Sequence, residues 1–390
     1  MTETSSAIAP FRVDIPQADL DELNDRLSRT RWPDALPGVG WSYGVDRDYL
    51  SDLAEYWRTG YDWREHEARL NSIPQFSTEI DGQNVHFLHL RSPEPDATPL
   101  ILTHGWPSTP ADFLGILGPL TDPRSHGGDP SDAFHVVAPS VPGFGFSGPT
   151  RDTGWDVPRI ARAWAELMRR LGYRRYGAAG GDYGSLISPA LGRVAADKVI
   201  GVHVNALADA STPSGSGDEL AVLSEADRAK AIANQRWWYG HNGYATQMAL
   251  RPQTIAYALN DSPVGQLAWN LEWFVDWDPT TTGQAAIGRD IILTNVTTYW
   301  LTGTAGSAAR IYRESGASWG SRPKPSGVPT AVANFQGDHA VRGLAELAST
   351  VVRWTEYPVG GHFASLQAPA ELVTDIREFF SSVGSLAAGK

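Results

Sequence analysis

No cysteine occurs in this chain. Disulfides, thiolate nucleophiles and cysteine-held metals are therefore excluded. No uninterrupted apolar run approaches membrane-spanning length, and the opening residues Met1-Thr2-Glu3-Thr4-Ser5-Ser6 lack the basic and apolar regions of a signal peptide. A soluble, cytoplasmic protein is the expectation. Positive charge is in short supply: 32 Lys and Arg stand against 44 Asp and Glu, a net charge of −12. That balance disfavours nucleic acid and anionic membrane surfaces as partners. Internal repeats are missing too. What the chain does have is 42% apolar residues and 15 tryptophans over 390 positions, enough for one large packed domain with insertions or for two domains.

Residues 16–32 carry Leu20, Leu23 and Leu27 at helical spacing and close at Trp32-Pro33, and a second helix is predicted over 46–61. Trp32, Trp41, Trp57 and Trp63 read as anchors of this segment against a core. Residues 76–80 and 85–90, joined by Asp81-Gly82, read as a hairpin. From there the pattern becomes strand, loop, helix. Apolar runs at 99–103, 134–139, 176–179 and 199–205 suit buried parallel strands, with a helix over 156–171 crossing between the second and third. A helix-rich, aromatic interval from 208 to 327 interrupts the pattern, which resumes at 328–335 and 351–357. The expected architecture is α/β with a mostly parallel sheet. Its segments are an N-terminal meander at 1–75, core at 76–210, a helical cap at 211–327 and core again at 328–390. Thr212-Pro213-Ser214-Gly215-Ser216-Gly217 reads as a flexible entry to the cap.

Ala178-Ala179-Gly180-Gly181-Asp182-Tyr183-Gly184-Ser185 has the small-x-nucleophile-x-small form of a sharp strand-to-helix elbow, with aspartate where serine is usual. Serine there needs a base to activate it, whereas an aspartate of pKa about 3.9 is already anionic at neutral pH. Its natural target is an alkyl carbon bearing a leaving group, and its product is an ester on the enzyme. By itself the octapeptide serves equally as a Gly-rich turn with a solvated aspartate. Three further signals fall at strand ends: His104-Gly105-Trp106-Pro107, Asp338 and Gly360-Gly361-His362-Phe363. Ligands of open α/β sheets bind at the carboxyl ends of strands, so these residues can converge on Asp182. The order Asp182, Asp338, His362 is that of nucleophile, acid and histidine in α/β-hydrolases.

On these motifs, and on Phe11-Arg12-Val13, Leu259-Asn260-Asp261-Ser262-Pro263 and Leu293-Thr294-Asn295-Val296 through Tyr299-Trp300, the chain resembles epoxide hydrolases of the α/β-hydrolase superfamily. The similarity is to the branch with microsomal, juvenile-hormone and related fungal and bacterial members. It implies that Asp182 is the nucleophile, His362 the base, Asp338 its carboxylate partner, and Tyr244 and Tyr299 the cap tyrosines that polarise the epoxide oxygen. The N–H groups of Trp106 and Tyr183 are then the oxyanion donors. Tyr183 departs from the tryptophan often found there, and Ser108-Thr109 from the common Gly-Ser. The membrane anchor of the microsomal members is expected to be absent. No cofactor or metal is implied.

Alternatives accompany several of these residues. Asp209, just beyond the 199–205 strand, is a second candidate for orienting His362. Tyr244 and Tyr299 sit among Trp237, Trp238, Tyr239 and Trp300 and could pack a cap core. His104 is read as shaping the oxyanion loop, and Trp106-Pro107 as a candidate cis bond. Trp237, Trp238 and Trp300 are candidate substrate contacts for a bulky or aromatic epoxide, in detoxification or natural-product biosynthesis. The Trp-rich N-terminal segment could pack on its own cap or on a second subunit, as in a homodimer. Gly143-Phe144-Gly145-Phe146-Ser147-Gly148 fits a dinucleotide pattern, but the next helix starts too late to receive a pyrophosphate. Gly316-Ala317-Ser318-Trp319-Gly320 fits a serine elbow, but follows a helical stretch rather than a strand. A haloalkane dehalogenase shares the aspartate-ester logic, yet it needs N–H donors for halide rather than paired phenols. A ligand-binding protein that had lost turnover is the remaining alternative.

Overall fold

The computed structural model describes residues 7–214, 218–275, 284–316 and 322–388. Parts of the 212–217 and 316–320 stretches therefore lie outside the described residues. One sheet holds nine strands: β1 (Ala9–Phe11), β2 (Gln75–Ile80), β3 (Gln83–Leu90), β4 (Thr98–Thr103), β5 (Phe134–Pro139), β6 (Tyr176–Gly180), β7 (Val199–Val204), β8 (Pro329–Asn334) and β9 (Thr350–Glu356). Their order is β1-β2-β3-β5-β4-β6-β7-β8-β9. The first three pair antiparallel, as does β3 with β5, and β5 through β9 are parallel. The hairpin falls at Asp81-Gly82, whose φ angles of 51° and 75° are the left-handed ones that a two-residue reverse turn needs. Strand β1 was not expected from the pattern: three residues are too few to show an alternation.

The buried parallel strands present apolar residues to both faces, which is why they read as continuous apolar runs. Ile101, Val137 and Ala178 meet Ile160, Trp164 and Leu167 of one helix and Ile187 and Leu191 of another. Leu100, Leu102, Val136 and Ala138 meet Ile116, Leu120, Ile376 and Phe379 on the opposite face. The helices are α1 (Gln17–Ser28), α2 (Arg47–Thr59), α3 (Trp63–Asn71), α4 (Leu114–Thr121), α5 (Val157–Arg170) and α6 (Tyr183–Val194). Between β7 and β8 come α7 (Glu219–Val222), α8 (Glu225–His241), α9 (Gly243–Leu250), α10 (Pro252–Asp261), α11 (Pro263–Phe274), α12 (Arg289–Thr302) and α13 (Ala305–Ser315). Then follow α14 (Arg342–Ala348), α15 (Ala364–Gln367) and α16 (Pro369–Ala388).

The N-terminal helices strap the inserted ones. Leu23, Leu27, Leu53 and Trp57 pack on Val264, Leu267 and Leu271 of α11 and on Leu293 and Val296 of α12. The Trp57 indole donates to Thr297 Oγ1 at 2.9 Å, and Arg26 pairs with Asp261 at 3.1 Å. The tryptophan-rich segment thus packs on the cap of its own chain. Among the described residues no helix is long and apolar enough to cross a membrane.

Candidate active site

Strand β6 delivers Asp182 to a turn that only certain residues can build. A Cβ on Gly180 or Gly184 would collide with the Thr103 carbonyl of β4, so both positions need glycine for the close approach. Asp182 has φ 53° and ψ −122°, a conformation costing a non-glycine residue about 1–3 kcal/mol. Its side chain is well anchored in return. Oδ1 accepts the N–H groups of Trp106 (2.9 Å) and Tyr183 (2.7 Å), while Oδ2 lies 3.5 Å from His362 Nε2. One carboxylate oxygen is thus held by two backbone donors and the other faces the imidazole.

The loop that supplies the Trp106 N–H is fixed from beneath by His104. Its Nε2 accepts from the Val141 N–H at 3.0 Å, so its Nδ1 is left to donate to the Gly105 carbonyl at 2.9 Å. Burial pushes the His104 pKa down to about 4, which keeps the ring neutral in that tautomer. The Trp106-Pro107 bond is cis.

Asp338 follows β8, and its Oδ2 accepts from Phe335 N–H and Ala206 N–H, each at 3.2 Å. Burial pushes its pKa up to about 6 against the opposing pull of His362, with which it interacts electrostatically. Asp209 answers instead to Arg322 and Arg193. His362 is held through its backbone, its N–H donating to Gln284 Oε1 at 3.1 Å and its carbonyl accepting from Asn205 Nδ2 at 3.4 Å.

Above Asp182 opens a cavity of about 510 Å³ lined by Asp182, Tyr183, Trp237, Trp238, Tyr244, Trp273, Tyr312, Asp338 and His362, among others. The Tyr244 ring stacks on Trp106, with ring centres 5.3 Å apart and planes 16° apart. The Tyr244 and Tyr312 hydroxyls are hydrogen-bonded to each other. Burial, and then the Asp182 charge, hold the Tyr244 phenol well above its ordinary pKa, so it stays protonated and available as a donor. The same holds for Tyr312, which is buried beside Tyr244 and Asp182.

Two expectations are corrected here. Tyr299 is 1% exposed, does not line the cavity, and donates its hydroxyl to the Ser108 carbonyl at 2.9 Å. It ties α12 to the Trp106 loop beside a buried network in which Asp112 accepts from Ser108 Oγ (2.5 Å) and Asn295 Nδ2 (2.7 Å). Trp300 lies outside the cavity as well, packed among the N-terminal residues with the Arg26 guanidinium 5.7 Å from its ring centre. Tyr239, grouped with Trp237 and Trp238 in the sequence, is 72% exposed. Trp237 stacks on His241 and meets His339, at ring distances of 4.4 and 4.2 Å. Among the described residues no group of His, Asp and Glu is arranged to hold a metal ion.

Comparison with known proteins gives this geometry its context. The profile of the epoxide hydrolase N terminus matches residues 8–113, and that of the alpha/beta hydrolase family matches residues 100–376. A putative epoxide hydrolase of Stigmatella aurantiaca (strain DW4/3-1) is 42% identical over 96% of this chain and 84% of its own length. Epoxide hydrolase 1 of Sus scrofa is 32% identical over 96% and 88% respectively. The chain belongs to the epoxide hydrolases of the α/β-hydrolase superfamily. Among solved structures, the juvenile hormone epoxide hydrolase of the silkworm Bombyx mori superposes on this enzyme with a TM-score of 0.87 at 25% identity, covering 99% of this chain and 96% of that one. The Aspergillus niger epoxide hydrolase gives 0.83 at 31%, covering 98% of each.

Within this epoxide hydrolase, Tyr312 and Trp273 are cavity aromatics that sequence reasoning missed. Trp273 of α11 stands 5.2 Å from the Tyr244 ring and 5.3 Å from that of His362. Tyr312 belongs to α13, whose other buried residues are Ala305, Gly306, Ser307, Ala308, Ala309, Ile311 and Ser315, all but Ile311 small. One polar aromatic on such a face was the available signal. It is weak, because a lone tyrosine among alanines reads as core.

Proposed function

We propose that this enzyme opens its epoxide through a covalent ester on Asp182, with Tyr244 and Tyr312 as the paired phenols. The observation that carries the reading is the split environment of the Asp182 carboxylate: Oδ1 held by two N–H donors, Oδ2 facing both His362 and the cavity. Oδ2 attacks an epoxide carbon, the carbon–oxygen bond breaks, and the electron pair goes to oxygen, which takes a proton from the phenol pair. His362, oriented by Asp338, then deprotonates a water whose oxygen adds to the Asp182 carboxyl carbon. Oδ1 becomes the oxyanion, already within its two donors. Collapse expels the diol oxygen, which takes the imidazolium proton, and the proton left on the Asp182 carboxyl returns to the phenolate through water. The cycle consumes one epoxide and one water and yields one diol. Preorganised donors of this kind stabilise the charge where it develops, without reorganising at the moment of reaction.

A cavity of about 510 Å³ walled by Trp237, Trp238 and Trp273 supports a bulky or aromatic epoxide as substrate. A single turnover in ¹⁸O-labelled water tests the ester. The first diol should carry unlabelled oxygen derived from Asp182, and label in that first product would rule out the covalent route. Turnover of styrene-type, terpene and large aromatic epoxides tests the substrate class, and equal kcat/KM across them would overturn it.

A further inference from the structure

The cavity does not end at the tryptophans. Asp182, Leu186, Ala190 and Arg193 all line it, at spacings of four, four and three residues, so it follows one face of α6 from the first turn to the last. Eleven residues at 1.5 Å each separate Asp182 from Arg193 by about 16 Å along the helix axis. Leu186 and Ala190, with Val157 and Leu207 from neighbouring elements, make the stretch between them apolar. The far end is charged.

Four ionisable groups meet there, and two of them, Arg322 and Glu219, hold each other. Arg322 donates to both oxygens of Glu219, at 2.8 and 3.1 Å, and to the Thr212 carbonyl at 3.1 Å. Asp209 is shared electrostatically between Arg322 and Arg193. The Arg193 side chain forms no hydrogen bond and no ion pair among the described residues; Asp209 acts on it electrostatically without bonding to it, and burial is strong enough to push its pKa down against that pull. A guanidinium with up to five N–H donors, partly stripped of water and without a hydrogen-bond acceptor among the described residues, is costly to bury. A planar carboxylate satisfies it with two parallel hydrogen bonds.

We propose that the end of the cavity remote from Asp182 is a carboxylate subsite built on Arg193, and that the enzyme accepts elongated epoxides with an apolar middle and an acidic tail. This rests on Asp182 being the epoxide-opening group and assigns the other end of the same substrate. Arg193 is a specificity residue: its backbone lies about 16 Å along α6 from that of Asp182, and it takes no part in bond making.

The test compares three epoxides on the wild type and on Arg193→Leu: the terminal epoxide of dodecanoic acid, the terminal epoxide of dodecane, and styrene oxide. Wild-type kcat/KM should favour the acid over the alkane by roughly tenfold or more, the usual worth of a charged hydrogen bond. Arg193→Leu should erase that preference by raising KM for the acid with kcat kept, leaving the other two substrates unchanged. Equal kcat/KM for acid and alkane in the wild type, or an equal loss on all three in the variant, overturns the subsite. Calorimetric binding of dodecanoate itself needs no turnover and should weaken roughly tenfold or more in Arg193→Leu. That arm separates the two ideas: dodecanoate held by Arg193 without epoxide turnover would sink the chemistry and leave the subsite standing, and binding unaffected by the substitution would sink the subsite.

Discussion

Core residues reach the cavity from strand ends, whereas cap residues reach it from the flanks of packed helices. Asp182, Asp338 and His362 each follow a strand, where backbone hydrogen bonds to neighbouring strands leave one direction for the next residue to face. Their places are set locally, by a glycine elbow for Asp182 and by two N–H donors for Asp338. Tyr244, Trp273 and Tyr312 come from three different helices and meet only because α9, α11 and α13 pack together. Functional residues of a sheet can be read from sequence position, while those of a helical cap depend on which side of each helix happens to face inward.

Substitutions at the core end should have the largest effects. Asp182→Asn removes the proposed nucleophile and should lower kcat by roughly 10,000-fold or more, with no ester formed. His362→Ala should instead accumulate the ester, visible by intact-protein mass as one added substrate. Normal turnover by the Asp182 variant would dismantle the core assignment.

On the proposed route Asp338→Asn should cost roughly 100-fold to 10,000-fold in kcat, because an imidazolium formed in the second half-reaction would lose its counter-charge. The wild type carries the same weakness in its pH profile. The Asp338 pKa is pushed up to about 6, so the carboxyl takes up its proton as pH falls through 6, and kcat should fall with it. A kcat that stays level down to pH 5 would place the orienting charge elsewhere.

The cap is sharpened by three tyrosine-to-phenylalanine exchanges measured side by side. Tyr244→Phe and Tyr312→Phe should each reduce kcat/KM by about 100-fold, the usual worth of a positioned acid. Tyr299→Phe should spare kcat/KM to within about fivefold and cost about 1 kcal/mol of stability, since what it loses is one hydrogen bond to the Ser108 carbonyl. The reverse ranking of Tyr299 and Tyr312 would restore the assignment that the sequence suggested.

The smallest effect concerns stability. Burial pushes the pKa values of His86 down to about 3 and of His89, His104 and His339 to about 4. Their folded-state values are depressed, so the unfolded chain binds protons first. Stability is intact above about pH 6.5 and is lost as pH falls from there toward 4. Asp112 and Asp338, raised to about 6, act in the opposite sense as pH falls through 6, but they are two against four. Thermal melts should show Tm several degrees lower at pH 5 than at pH 7.5. A level Tm across that range would mean that these rings are charged in the folded protein.

The residues that could be read from the chain alone share a physical property. Each core motif combines a conformational requirement with a chemical one, as Gly180, Gly181 and Gly184 do around Asp182, so its meaning survives without knowledge of neighbours. Strand limits were legible for the same reason: buried parallel strands are short apolar runs, and all but β1 were anticipated to within two residues at each end. The two acid candidates were harder to separate, since Asp209 and Asp338 both follow strands, and only folding showed Asp209 beside Arg193 and Arg322 and Asp338 beside His362. Cap aromatics offered no such signal. Tyr299, Trp300 and Tyr312 are large residues on helices buried from several sides, where periodicity cannot distinguish a cavity wall from a core. By itself the sequence determined that an aspartate elbow, an acid and a histidine lie in hydrolase order at the ends of strands. Tertiary structure alone decided which phenols face that aspartate and how far the cavity runs, because those follow from the rotation and packing of helices against one another.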